Sequence, residues 1–186
     1  MIPLAKVVVL IGNPSAKSRL NGVVDRVKSR LGDTDLDVST ISVRDLPAED
    51  LLFANFGSEA IQAANKTVAE ADAVVIATPV YKASFPGALK AYIDLLPQKG
   101  LENKIVLPIA IGGTIAHLLS IDFAMKPVLS TMAPRNILGG VFVIDSQVTW
   151  NDDGTASLAD EIAARVDGAV DLLVQEVRWQ TREARA

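Results

Sequence analysis

The sequence predicts a three-layer α/β sandwich, with a five-stranded parallel sheet between two layers of helices. Three observations carry that prediction. Five strand-length apolar stretches alternate strictly with helix-period stretches along the 186 residues. Most of these stretches are apolar at consecutive positions, the pattern of strands buried on both faces, rather than at every second position. Right-handed crossovers between parallel strands then distribute the helices over both sides of the sheet.

The elements follow in order. Residues 6–12 (KVVVLIG) form the first strand. The apolar run at residues 1–11 leads directly into Gly12 and Asn13 with no small-residue cleavage site, which distinguishes it from a secretory signal. Residues 18–31 carry a 3.6-residue period and give the first helix, and the alternating residues 38–43 give the second strand. Residues 58–69, 85–96 and 115–132 predict three further helices, separated by strands at 73–78 (AVVIAT) and 105–111 (IVLPIAI). A fifth strand at 137–144 (ILGGVFVI) precedes a last helix from Leu158 to about Trp179. Five strands in this arrangement suit the flavodoxin-like order 2-1-3-4-5. Pro108 stands inside the fourth strand and has no N–H for the ladder, so a bulge is expected there. Pro127 lies inside the fourth helix and leaves the carbonyl of Phe123 without its helical donor, which predicts a kink or π-bulge over residues 123–127. Residues 150–154 (WNDDG) read as an exposed loop.

Composition narrows the function. The length fits one well-buried domain spanning residues 1–186. The absence of cysteine excludes disulfides, iron–sulfur clusters and thiol redox chemistry, so any electron transfer requires a bound cofactor. A net charge of −4 without a basic run lacks the electrostatic footprint of a nucleic-acid binder. No apolar run approaches the roughly 18 residues of a membrane span, and a soluble protein with small-molecule partners is expected. His117 is the only histidine. There is no G-x-S-x-G elbow to complete a hydrolase triad, and one histidine without cysteines does not make a zinc site. His117 is expected to be an ordinary, partly buried side chain.

In open parallel sheets, ligands bind beyond the carboxyl ends of the strands, which selects the loops after strands one, three, four and five. The first, Gly12 to Arg19 (GNPSAKSR), is rich in hydroxyls and opens into a helix. Free N–H groups and the helix dipole favour an anion there, and Ser15, Ser18 and Arg19 add donors, with Lys17 a second cation. Neither G-x-G-x-x-G nor a Walker P-loop is present, so one phosphate is implied, and a mononucleotide flavin fits. Alternatively Ser18 is a plain N-cap while Lys17 and Arg19 are solvated. The loop after the third strand runs Pro79-Val80-Tyr81-Lys82 and continues to Pro86. It is rigid, and its backbone and Tyr81 suit the edge and face of a flat heterocycle, whereas Phe85 and Tyr92 are expected in the core. Gly112, Gly113 and Thr114 follow the fourth strand and let a planar ring lie against the backbone. The last loop, Asp145-Ser146-Gln147, reads as ordinary turn chemistry.

At these loops the sequence resembles the NADPH-dependent FMN reductase family, in particular its alkanesulfonate and methanesulfonate members. The resemblance is carried by ATPVYKASFPGALK (77–90), IGGTIAHLLSIDFAMKPVLS (111–130) and PAEDLLFANF (47–56). It implies a flavodoxin-like fold and FMN as cofactor, with Asn13, Ser15, Lys17, Ser18 and Arg19 around the phosphate. The flavin ring would lie against Pro79, Val80, Tyr81, Lys82, Gly112, Gly113 and Thr114. It also implies NADH or NADPH as hydride donor, a flavin-dependent monooxygenase as partner in sulfonate metabolism, and a cytoplasmic homodimer or homotetramer whose interfaces border the flavin sites. The family usually reads G-S-P-R in the first loop; here Asn13 and Ser15 replace the Ser and the Arg, leaving Arg19 as the arginine nearest the phosphate. Phe123 stands where the family carries Tyr or His. Two rival functions use the same scaffold. An NAD(P)H-dependent quinone or azo reductase differs in its second substrate, and a flavodoxin-type electron carrier has no nicotinamide site. Flavin chemistry needs no protein acid or base, so all of these residues have binding roles and none is catalytic.

Overall fold

The structure is a computed structural model in which residues 4–183 are described. The main sheet is parallel throughout, with its first five strands in the order 2-1-3-4-5, and a further short strand also pairs with the fourth. Strand β1 (Lys6–Ile11) leads into helix α1 (Leu20–Gly32), and β2 (Asp37–Ser42) lies at one edge, with Asp37 and Thr40 exposed. Two short helices, α2 (Ala48–Leu52) and α3 (Glu59–Ala69), precede β3 (Ala73–Pro79). Ser58 caps α3 by accepting a hydrogen bond from the N–H of Ile61. Helix α4 (Gly87–Asp94) and strand β4 (Ile105–Gly112) follow, and every residue of β3 and β4 is buried.

Because successive side chains of a strand point to opposite faces, the consecutive apolar runs feed two cores. Val7, Val9, Val75 and Leu107 meet α1 and the long terminal helix α6 (Asp160–Glu183) on one face. Val8, Leu10, Val74 and Ile76 meet α3 and α4 on the other, where Tyr92 is fully buried and Phe85 packs at the margin. Burial pushes the Tyr92 phenol well above its usual range. On the outside, Arg26 pairs with Asp167 and Arg30 with Asp171, both partners advancing by four residues, as parallel neighbouring helices require. The Arg30 guanidinium holds the Asp171 carboxyl below the usual carboxylate range. Among the described residues, no helix is long and apolar enough to cross a membrane.

The fifth strand differs from the single run expected at 137–144. It is two pieces, β5 (Asn136–Ile137) and β6 (Val141–Ile144), each paired with β4. The reason is Pro108. The carbonyl of Val106 accepts from Leu138, so Val106 addresses the fifth strand, and the two-residue alternation points the backbone nitrogen of Pro108 the same way. Proline has no hydrogen to donate, and the ladder breaks opposite it. Two residues of β4, Leu107 and Pro108, face three on the partner, 138–140, so the irregularity expected at Pro108 falls on the neighbouring strand. Gly140 takes φ of +86°, and a Cβ there would lie 2.7 Å from the Pro108 carbonyl oxygen.

The fourth helix is not continuous. A 3-10 turn (Ile115–His117), a π-helical turn (Ile121–Met125) and α5 (Lys126–Ser130) replace it, and the Lys126 N–H reaches back five residues to the Ile121 carbonyl. The distortion expected from Pro127 is present, centred slightly earlier than 123–127. Residues 150–154 are not simply an exposed loop. They form the end of a hairpin made by β7 (Val148–Trp150) and β8 (Ala156–Leu158), antiparallel and separate from the main sheet. Helix α6 accordingly starts at Asp160 rather than Leu158.

Gly140→Ala combines an unfavourable left-handed backbone, costing roughly 1–3 kcal/mol, with a backbone clash. A loss of stability in that range or above is expected in urea denaturation, and an unchanged midpoint would contradict this account of the strand break.

Candidate active site

The carboxyl edge of the sheet carries a cleft of about 380 Å³. Three registered pairs bring its walls together: Ile11 beside Ala77, Pro79 beside Ile111, and Gly112 beside Ile144. The cleft is lined by Lys17, Ser18 and Arg19 from the first loop, Pro79, Val80 and Tyr81 from the third, and Gly112 and Gly113 from the fourth. Ile111, Asp145 and Trp150 complete it. A larger groove, about 740 Å³, lies between the C-terminal end of α1 and α6, at the opposite edge of the sheet. There Arg30 and Arg178 are already paired with Asp171 and Asp35, so the chemistry lies in the smaller cleft.

The first loop is organised from within. Gly12 packs closely on Leu89, whose Cδ2 would lie 2.6 Å from a Cβ at this position, and its N–H closes on the Ala77 carbonyl at 2.7 Å. Asn13 is buried. Its side chain donates to the Ser15 carbonyl at 2.5 Å and accepts from the Ser15 N–H at 3.2 Å, fixing the bend. Ser15 Oγ donates to the Lys17 carbonyl. Asn13 and Ser15 shape the loop and stand outside the lining of the cleft. Ser18 is not the N-cap, a position held by Arg19 in helical conformation, but its Oγ accepts from the Leu20 N–H at 3.2 Å. Among the described residues, the backbone N–H groups of Ala16, Lys17, Ser18 and Arg19 meet no protein acceptor. Four such donors at the positive end of a 13-residue helix, with two cations beside them, fit a phosphate. Arg19 does one thing the sequence did not show: its Nε donates to the Val148 carbonyl at 3.1 Å, tying the loop to β7.

The second wall is a tight turn. Tyr81 and Ser84 exchange backbone hydrogen bonds at 2.7 and 3.1 Å, with Lys82 (φ 52°) and Ala83 (φ 62°) both left-handed. Turns of this kind normally take Asn-Gly, so a lysine and an alanine there hold strain next to the cleft. Tyr81 is half exposed, whereas Lys82 projects at the tip and does not line the cleft. Within this loop the N–H groups of Lys82 and Ala83 meet no acceptor among the described residues, whereas Val80 donates to the Ile111 carbonyl and Tyr81 to Ser84. The N–H groups of Gly113 and Thr114, by contrast, meet no acceptor among the described residues. Thr114 lies just beyond the lining, its Oγ1 accepting from Ala116 at the start of the 3-10 turn. His117 is half-buried in that turn, away from the cleft lining. Gln147 folds its own loop by accepting from the Ile144 N–H at 2.8 Å.

Three lining residues fall outside the set expected from sequence: Ile111 at the end of β4, Asp145 and, with most consequence, Trp150. A signal existed: V-T-W and A-S-L flank N-D-D-G as a hairpin would. Its ring lies 5.5 Å from the Lys17 ammonium, in cation–π contact.

A parallel sheet with a one-phosphate loop, a tight turn and a glycine pair at its carboxyl edge defines a flavodoxin-like flavin-binding protein. Comparison with known proteins is more specific. Residues 5–149 match the family model described as NADPH-dependent FMN reductase. An FMN reductase (NADPH) of Pseudomonas putida is 51% identical over 144 residues, covering 77% of this chain and 73% of its own. One from Escherichia coli K12 is 44% identical over 143 residues, covering 77% and 75%. Among solved structures, an NADH:FMN oxidoreductase in its apo form superposes with a TM-score of 0.81 at 32% identity, covering 91% of this chain and 88% of that one. The chain belongs to the NADPH-dependent FMN reductase family. It is an oxidoreductase of FMN and a reduced nicotinamide.

Arg19→Ala removes a charge-assisted donor worth roughly 1.5 kcal/mol at this exposed position, so FMN affinity measured by calorimetry should fall about tenfold. Stability should fall slightly, through the lost bond to Val148. Unchanged FMN affinity would make Arg19 a purely structural tie.

Proposed function

We propose that the protein reduces FMN held in the carboxyl-edge cleft and delivers the reduced flavin to a flavin-dependent monooxygenase, in the cytoplasm and in sulfonate metabolism. The observation that carries the binding mode is the group of four N–H donors at residues 16–19, which meet no acceptor among the described residues, beside Lys17 and Arg19. The sulfonate context and the monooxygenase rest on the resemblance of residues 77–90 and 111–130.

When bound, FMN supplies the hydride-accepting ring. The chain binds and orients it. Ser18, Arg19 and the loop N–H groups hold the phosphate, with Lys17 as a second cation, and Asn13 and Ser15 keep the loop in shape. Pro79, Val80 and Tyr81 form one wall of the ring site, and the strained turn at Lys82 fixes where Tyr81 stands. Gly113 offers the other wall, since a Cβ there would meet nothing closer than Asp145 Oδ2 at 3.7 Å, and the N–H groups of Gly113 and Thr114 face no competing acceptor. Gly112 lines the cleft beside it and is also closely packed, a Cβ at that position falling 3.1 Å from Phe142 Cζ. The open side of the cleft leaves room for a nicotinamide.

The same reading makes the chain a homodimer or homotetramer. Ile115, Leu118, Leu119 and Phe123, on the segment that follows the Gly112–Thr114 loop, are all exposed apolar side chains, Phe123 being 77% exposed on the π turn. Burying that surface against a second copy removes it from water.

Two experiments test this function. Under anaerobic conditions, oxidation of NADH or NADPH should rise saturably with added FMN, and riboflavin, which lacks the phosphate, should require a higher concentration. Nicotinamide oxidation indifferent to the phosphate would contradict the assignment of the first loop. Light scattering should report a dimer or tetramer that Phe123→Asp shifts toward monomer; a monomeric wild type would remove the interface.

A further inference from the structure

We propose that Trp150 makes the site selective for a flavin mononucleotide over a flavin dinucleotide, by closing the phosphate end of the cleft and holding Lys17 there. The inference rests on the assignment of the cleft to FMN. Three contacts fasten the β7–β8 hairpin to the start of α1. Arg19 Nε donates to the Val148 carbonyl, Lys17 lies over the Trp150 ring, and Gly22 presses on Ala156, where a Cβ would come within 2.8 Å of the alanine methyl. Two of these contacts come from the phosphate loop itself, and the third from the first turn of the helix whose N-terminus the loop opens. The hairpin is therefore a fixed wall, with Trp150 facing the cleft.

The ligands differ at this point. FMN ends in a phosphomonoester, which carries close to two negative charges at neutral pH because its second pKa is about 6. In FAD the same phosphorus carries one charge, because an anhydride oxygen joins it to a second phosphate, and an adenosine continues beyond that. Trp150, lining the cleft with the phosphate loop, would bar that continuation, and its ring holds the Lys17 ammonium in the cleft that Arg19 also lines, so that two cations match the monoester's two charges. The sequence contains only one other tryptophan, Trp179.

Trp179→Phe therefore leaves Trp150 as the sole indole, and its fluorescence should be quenched saturably by FMN. In calorimetry, Trp150→Ala should weaken FMN binding by roughly threefold to tenfold and strengthen FAD binding, so that the ratio of the two dissociation constants falls at least about tenfold. Trp150→Phe, which keeps a ring, should preserve most of that ratio. Lys17→Gln removes the cation while leaving Trp150 and the Arg19–Val148 and Gly22–Ala156 contacts of the hairpin in place, and should weaken FMN more than FAD. An unchanged ratio in both Trp150→Ala and Lys17→Gln, or a wild type that binds FAD as tightly as FMN, overturns the role of Trp150. A wild type that binds neither flavin overturns the FMN assignment beneath it.

Discussion

The backbone ladder through β1, β3 and β4 is the constraint on which the site depends. Every residue of β3 and β4 is buried, and their side chains feed two separate cores, so a one-residue slip would exchange the cores completely. Register is thus fixed far more tightly than a half-exposed sheet would require. Its consequence lies at the carboxyl edge, where β1 ends at Ile11, level with Ala77 and two residues below the Pro79–Ile111 pair, so Gly12 leaves the sheet lower than Val80 and Gly113. The cleft between them is a product of strand register, and loop chemistry only furnishes it.

Two prolines define where that regularity ends. Pro108 withholds a donor from the fifth strand and splits it, and Gly140 fits the break because nothing larger clears the Pro108 carbonyl. Pro127 disturbs the helix after β4, which takes a π-helical turn and leaves Phe123 outward. One irregularity stays inside the fold, and the other opens onto the surface.

Much of this was legible in the sequence because it follows from local rules. Consecutive apolar runs located β1, β3 and β4 within a residue, Ser58 marked the start of α3, and Pro127 forecast the distorted helix. What stayed hidden depends on contacts distant in sequence. The break in the fifth strand requires knowing which side of β4 Pro108 addresses. Arg19 is 129 residues from the carbonyl it binds, and the Trp150 ring reaches the cleft only because the hairpin packs on α1. Lys82 was legible as a loop residue, but the left-handed turn that carries it away from the cleft was not, since such turns are usually announced by Asn-Gly. Val80 and Tyr81 could be placed at the ring site from sequence, whereas the prior engagement of their N–H groups could not.

A crystal structure of the FMN complex tests the central claim most directly. The account requires the phosphate to accept hydrogen bonds from the backbone N–H groups of residues 16–19, with Arg19 beside it. It also requires the flavin ring between the Tyr81 turn and Gly113. A phosphate bound instead in the arginine-lined groove between α1 and α6, or a ring lying over the first loop, would contradict it.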